Sequence, residues 1–366
     1  MTISPAIREQ VPLADLTTIG LGGTARYLAS CNTPGDCRYA LEFARKRSLP
    51  VMVLGGGSNI IFSDDGYPGL ILRMEIPGLD FAGSSRICQV TVGAGENWDD
   101  VVTACVARGL GGIECLAGIP GTAGATPIQN VGAYGQEVKD TIESVNVIEG
   151  MSGKELRLSN TECKFDYRSS RFKGEDAGRY LVTSVVFRLE QEGHPRIRYP
   201  ELKQEMMRGE FDSSLTFGEP ALNQVRKAVL RIRRSKSMVI DHDDPNCRSV
   251  GSFFMNPLLD PAQFDGVRQR WLGAGKPGAI PAYPSPGGIK IPAAWLVENA
   301  GFPKGTRRGN VGISEKHALA LVNRGATSRE LLAFAEEIRA GVEKTFGIRL
   351  AIEPIIVSHH NEETRP

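Results

Sequence analysis

The sequence predicts an α+β protein, and three patterns carry that expectation. Short apolar runs of strand length recur between glycine-rich turns, as at 51–54 and 60–62. Longer segments place apolar residues at helical spacing, most clearly at 327–346. Glycine is in excess, with 42 in 366 residues and no collagen period, which points to tight turns and backbone-lined ligand loops.

In chain order, 36–48 reads as a helix with Tyr39, Leu41, Phe43 and Ala44 on its periodic face and Pro50 beyond its end. Strands follow at 51–54, 60–62, 70–73 and 87–92. Asn97 is placed to cap a helix running to about 108. A long glycine-rich stretch fills 109–135, and strands return at 144–148, 155–158 and 180–189. A basic helix is expected over 220–234, then a Pro/Asp/Asn-rich linker at 241–246. Helices at 261–271 and 293–301 flank a Gly/Pro-rich loop at 273–288. The helix at 327–346 opens with a capping box, Thr327 and Glu330, and Gly347 ends it. The last strand, 348–357, carries one acid, Glu353, among apolar residues.

Composition narrows the function. Hydrophobic content of 41% supports a full core, and 43 basic against 42 acidic residues leave a net charge of +1. That balance gives no nucleic-acid surface and no polybasic membrane anchor. Seven single cysteines without a C-x-x-C pair argue against a zinc site and read as reduced thiols of a cytosolic protein. Residues 1–16 lack a signal pattern, and no apolar run reaches the roughly 18 residues a membrane span needs.

Three motifs carry chemistry. Gly55, Gly56, Gly57, Ser58 and Asn59 stand between two strand-like runs, where consecutive amides can converge on an anion or simply connect two strands. The run is neither a Walker loop nor a dinucleotide fingerprint, because no Gly-Lys-Ser/Thr follows and Ile60 stands where the third small residue belongs. The stretch 118–135 carries hydroxyls, amides and glycines with little charge, and its length without structure favours a ligand role. Its composition suits backbone hydrogen bonding to a flat polar ring. Finally, Gly251-Ser252-Phe253-Phe254-Met255-Asn256-Pro257 holds one hydroxyl beside two rings that demand burial. By itself Ser252 is either a turn residue or a hydroxyl aimed at a substrate. The basic face of 220–234 is equally open, a solvated surface or a phosphate site.

Taken in order, the two glycine loops, Phe165-Asp166-Tyr167-Arg168-Ser169-Ser170, the Ser252 heptad and Ile352-Glu353-Pro354 resemble the UDP-N-acetylenolpyruvoylglucosamine reductase family, over about 13–357. The resemblance implies a p-cresol-methyl-hydroxylase-type FAD-binding fold of two subdomains plus a C-terminal α+β substrate-binding domain. The expected boundaries are 1–75 and 76–237 for the FAD subdomains, 238–346 for the substrate domain, and 347–366 for a strand and tail returning to the active site. FAD would be held non-covalently by Gly55 to Asn59 and by Gly118, Gly121, Thr122, Gly124, Ala125, Gln129, Asn130, Gly132, Ala133 and Arg168. Tyr134, Tyr167, Tyr199, Lys236, Asn256, Tyr283, Lys290 and His317 match positions around the sugar nucleotide, His317 where some relatives use glutamine. The segment Arg198-Tyr199-Pro200-Glu201-Leu202 resembles the substrate-closing tyrosine loop of one variant of the family. Met255 and Pro200 depart from its common residues, a polar or basic side chain and a glycine; Pro200 would stiffen the loop.

The implied reaction reduces a vinyl ether with NADPH as hydride source, in peptidoglycan synthesis. Arg168 suits a carboxylate and the charge that develops beside it. Ser252 is the candidate proton donor, and Glu353 would share the charge of the intermediate. Two other classes compete. A flavin oxidase of the same fold would often attach FAD through a histidine near the first loop, but the first histidine here is His194. A non-catalytic sugar-nucleotide binder would not need Arg168, Ser252 and Glu353 together. The expected partners are small molecules alone, with no metal, nucleic acid or membrane, in a cytoplasmic monomer.

Overall fold

A computed structural model describes residues 5–83, 86–208, 211–276, 278–285 and 287–358. The chain forms two compact units, and neither is one continuous stretch. The first comprises the described parts of Met1–Val11, Ala25–Gly56 and Pro68–Val239. The second comprises Pro12–Thr24, Gly57–Tyr67 and the described part of Ile240–Pro366.

Among its described residues the first unit carries two larger sheets, a two-stranded hairpin and four α-helices. One sheet has the strand order Ile7–Pro12, Thr24–Cys31, Tyr67–Met74, Val51–Leu54, the last two running parallel. The other is antiparallel and five-stranded: Glu155–Ser159, Ile142–Glu149, Tyr180–Glu190, Ile87–Gly93, Leu79–Gly83. Helix α1, Pro34–Lys46, begins two residues earlier than its apolar pattern suggests. Pro34 occupies its first turn, and Thr33 and Asp36 close a capping box. Helix α2, Trp98–Val106, is capped by Asn97, whose side chain accepts from the amides of Asp99 and Asp100. Helix α3, Pro200–Arg208, was not predicted. Its sequence is polar and Leu202 is its one buried residue, so no apolar stripe announces it. Helix α4, Gly218–Ser235, buries Ala221, Leu222, Val225, Ala228, Val229, Leu230 and Ile232.

The second unit is built on helices α5, Pro261–Gly273, α6, Ala293–Asn299, and α7, Ser328–Phe346. Trp271, Trp295 and Phe346 meet with ring centroids 4.8–5.8 Å apart, locking the three helices together. Gly347 ends α7 in the left-handed region at φ 74°. Two sequence expectations fail here. The 273–288 loop contains a strand, Tyr283–Ser285, paired with Gly288–Lys290. The strand expected at 348–357 is reduced to Ile355–Val357, parallel to Ile60–Phe62. Pro354 has no N–H to give a ladder, and it stands where the segment changes partner.

All seven cysteines are unpaired; six are buried and Cys247 is half-buried. Among the described residues no helix is long and apolar enough to cross a membrane.

Candidate functional site

In the first unit the two glycine loops touch. A Cβ on Gly55 would fall 2.6 Å from Thr122 Oγ1, and one on Gly56 would fall 2.8 Å from the Gly121 Cα. Only residues without side chains permit that approach. Among the described residues, the amides of Gly55, Gly56 and Gly57 donate to no main-chain carbonyl. Gly57 sits at φ 63°, a conformation glycine adopts freely. Open, successive amides in such a turn suit the charge of a pyrophosphate, so these residues fit the cofactor that the motif suggested.

The second loop is not the structureless stretch its composition suggested. Trp98 N–H donates to Gly121 O at 3.1 Å, Ala123 N–H to Glu96 O at 2.8 Å, and Gly124 N–H to Ala94 O at 3.0 Å. Gly118 N–H donates to Asp99 Oδ1 at 2.7 Å, in the first turn of α2. Ala123–Ala125 forms one 3₁₀ turn, and Gly132–Ala133 pairs with Gln136–Glu137 as a short hairpin. Gln129 is half-buried between these features. Asn130 is fully buried; its amide nitrogen donates to Glu137 Oε2 at 3.0 Å and Asp166 O at 2.9 Å.

Arg168 closes on this loop. Its Nη2 donates to Gly132 O at 2.8 Å, and Ser170 Oγ donates to Ile128 O at 2.6 Å. The Arg168 guanidinium lies 5.7 Å from the centroid of the half-buried Tyr167 ring. Asn130, Tyr134 and Arg168 are all left-handed, with φ of 46°, 50° and 52°. A non-glycine residue held there costs about 1–3 kcal/mol, and such strain persists where the surroundings over-determine it.

Tyr134 meets Tyr199 edge to face, with centroids 5.6 Å apart and planes at 87°. Pro200, a departure from the family's common loop residue, is the first residue of α3, where its missing N–H costs nothing. Lys236, just past the end of α4, is held by both carboxylate oxygens of Glu201, at 2.6 and 2.7 Å. The basic face of α4 is largely consumed within this unit. Arg226 reaches Thr103 Oγ1 at 2.7 Å and Asp99 at 3.4 Å, and Arg231 reaches Glu205 at 3.6 Å.

Arg233, one of the basic residues expected on a solvated or phosphate-binding face of α4, instead turns inward. Burial holds its guanidinium below the ordinary arginine range, partly offset by the nearby Tyr134 hydroxyl. Its Nη2 donates to Met238 O at 2.6 Å, while Nε has no partner. The available signal was spacing: Arg233 follows buried Val229 by four residues and buried Leu230 by three, on the apolar stripe of α4.

In the second unit, Phe253 and Phe254 are buried and pack at 5.2 Å. Ser252, half-buried, bridges to Ala320, and Phe253 N–H donates to Leu319 O at 2.8 Å. Glu353 is also half-buried; its N–H donates to Phe253 O at 2.9 Å. Two residues later, Ile355 N–H donates to Asn59 O at 3.0 Å. The Ser252 segment, Glu353 and the Ser58–Asn59 turn are therefore neighbours along the main chain's hydrogen bonds. Asn256 Oδ1 accepts the Ala293 N–H at 2.8 Å, at the start of α6. Tyr283 and Lys290 are cross-strand partners, with Tyr283 55% exposed. His317 Nδ1 accepts the Leu319 N–H at 3.0 Å, so the proton of a neutral ring sits on Nε2. Among the described residues no group of three His, Cys, Asp or Glu side chains is placed to hold a metal ion.

Comparison with known proteins agrees with this geometry. An FAD-binding domain profile matches residues 25–159, and the C-terminal domain profile of UDP-N-acetylenolpyruvoylglucosamine reductase matches 243–357. The UDP-N-acetylenolpyruvoylglucosamine reductase of Thermobifida fusca is 44% identical over 360 residues, covering 97% of this chain and 99% of that one. That of Streptomyces coelicolor is 44% identical over 357 residues, covering 95% and 90%. The crystal structure of the Thermus caldophilus UDP-N-acetylenolpyruvylglucosamine reductase superposes with a TM-score of 0.65 at 25% identity, covering 96% of this chain and all of that one. The expected α+β FAD-binding fold is borne out. This chain belongs to the UDP-N-acetylenolpyruvoylglucosamine reductase family.

Proposed function

We propose that this chain is an FAD-dependent, NADPH-consuming reductase of the enolpyruvyl ether of UDP-N-acetylglucosamine, giving UDP-N-acetylmuramate for peptidoglycan, with Arg168, Ser252 and Glu353 serving the substrate. Beyond family membership, the observation that carries the residue assignment is the Glu353 N–H to Phe253 O bond at 2.9 Å. It sets the lone late acid beside the residue that adjoins Ser252.

FAD, when bound, supplies the hydride chemistry, accepting from NADPH and donating to the terminal vinyl carbon. The open amides of the Gly55–Gly57 turn and the pinned loop at 118–135 would hold it, non-covalently. Hydride addition pushes electrons toward the substrate carboxylate. Arg168 is a permanent planar cation, and a fixed charge aimed at developing negative charge needs no reorganisation when it forms. Glu353 shares that charge through hydrogen bonding. The carbon next to the carboxylate must then gain a proton, and Ser252 donates it, its backbone fixed by the buried Phe253. Tyr134, Tyr167, Tyr199 and Lys236 in the first unit, and Asn256, Tyr283, Lys290 and His317 in the second, are assigned to the sugar nucleotide. The first unit is assigned mainly to FAD and the second mainly to substrate. A water-soluble nucleotide substrate supports a cytoplasmic site of action with small molecules as partners.

Stopped-flow spectroscopy of Ser252→Ala tests the assignment. NADPH should bleach the flavin at near wild-type rate, and reoxidation by the enolpyruvyl sugar nucleotide should slow by about 100-fold or more. Unchanged reoxidation would remove Ser252 from the proton-donor role.

A further inference from the structure

The Lys236 ammonium is already occupied by an anion of the protein itself. Both oxygens of Glu201 reach Nζ, at 2.6 and 2.7 Å. Glu201 lies in the first turn of α3, where a carboxylate is favoured by the helix's positive end. Tyr199 stands two residues before it, tied to the helix by the Lys203 N–H to Tyr199 O bond at 3.0 Å. The Tyr199 ring rests edge-on against Tyr134. This ion pair and ring contact act together with buried Leu202 and the Glu205–Arg231 pair to hold α3 against the end of α4 and the tip of the second glycine loop.

We propose that Glu201 is an internal competitor for Lys236, standing in for a phosphate of the sugar nucleotide, so that ligand binding must exchange one anion for another and in doing so releases the Tyr199 segment to close. This rests on the assignment of Lys236 and Tyr199 to the substrate. An ammonium has three donors on one point charge. While Glu201 takes a bidentate share, a diphosphate oxygen gains little from Lys236. Once Glu201 leaves, the same cation meets a ligand with more charge, and the tie that holds the first turn of α3 beside Tyr199 is lost, while Leu202 and the Glu205–Arg231 pair keep the rest of the helix in place. The pair is partly exposed, with side chains 29% and 40% accessible, so the competition is a modest one. Pairs of this kind correspond to at most about a fivefold change in an equilibrium.

The test is isothermal titration of the FAD-loaded protein with UDP-N-acetylmuramate. Glu201→Gln keeps the shape and removes the competing charge, so binding should tighten about two- to fivefold. Glu205→Gln removes the same charge one turn further along α3, where the partner is Arg231 at 3.6 Å, and should leave binding within error of wild type. In a Lys236→Gln background the Glu201 substitution should have no further effect. Equal or weaker binding by Glu201→Gln overturns the proposal, as does equal tightening by Glu205→Gln, which would mean only a general loss of repulsion. Failure of the wild-type protein to bind UDP-N-acetylmuramate at all would instead overturn the substrate assignment.

Discussion

Gly56→Ala probes the contact between the two glycine loops. The added methyl carbon would lie 2.8 Å from the Gly121 Cα and 3.2 Å from its carbonyl carbon. Carbon atoms rest at about 3.5–4.0 Å, so the loops must part by roughly 0.7–1.2 Å. Both contacted atoms are backbone, and no rotamer change relieves the clash. Overpacking of this size costs about 1–3 kcal/mol. If the open amides of Gly55 to Gly57 grip FAD, much of that cost appears as lost affinity, about 5- to 150-fold. Titrating apoprotein with FAD and following flavin fluorescence gives the dissociation constant directly. Gly266→Ala is the control: a Cβ there meets nothing within 4 Å inside α5, so FAD binding should not change. A Gly56→Ala protein that folds and binds FAD within twofold of wild type would refute the view that this loop contact shapes the cofactor cradle.

Two further outcomes follow from the structure. Phe253 is fully buried and its main chain bonds both Leu319 and Glu353, so Phe253→Ala should lower stability by about 3–5 kcal/mol in urea unfolding. Burial, partly offset by Arg233, pushes the Tyr134 hydroxyl from 10.0 up to about 12. A group raised on folding contributes stability that is complete below its unfolded value and is lost as pH rises through the folded one. Wild type should therefore lose stability between pH 10 and 12, by at most about 2.7 kcal/mol more than Tyr134→Phe, in unfolding measured on either side of that window.

What could be read from the sequence were features with a local cause. Asn97 before α2, Thr327 and Glu330 at the start of α7 and Gly347 at its end each act within one turn, and each is where the sequence places it. The central strands Ile142–Glu149 and Tyr180–Glu190 are apolar enough to announce themselves. Helix α3 was not legible, because its polar residues are stabilised by α4 rather than by a stripe of their own, as the Glu201–Lys236 and Glu205–Arg231 pairs show. The short strand Tyr283–Ser285 exists only through its partner Gly288–Lys290. In the candidate site, residue types were legible and partners were not. Nothing in the spacing of Lys236 reveals Glu201, and the half-buried Arg233 is told from its basic neighbours only by its place on the apolar stripe of α4.

Glu353 shows why one misreading mattered. A continuous strand over 348–357 would pair with one neighbour and alternate its side chains between two faces. Instead, the segment changes partner. Before Pro354 it lies antiparallel to the Ser252 segment, through Ile352 with Phe254 and Glu353 with Phe253. After Pro354 it runs parallel to Ile60–Phe62, with Ile355 N–H on Asn59 O. Pro354 stands at the crossing and offers no N–H to continue either ladder. Glu353 thus becomes the last residue bonded to one segment, immediately before the switch to another. Its backbone is thereby fixed on both sides, by the Ser252 segment before it and by Asn59 after it.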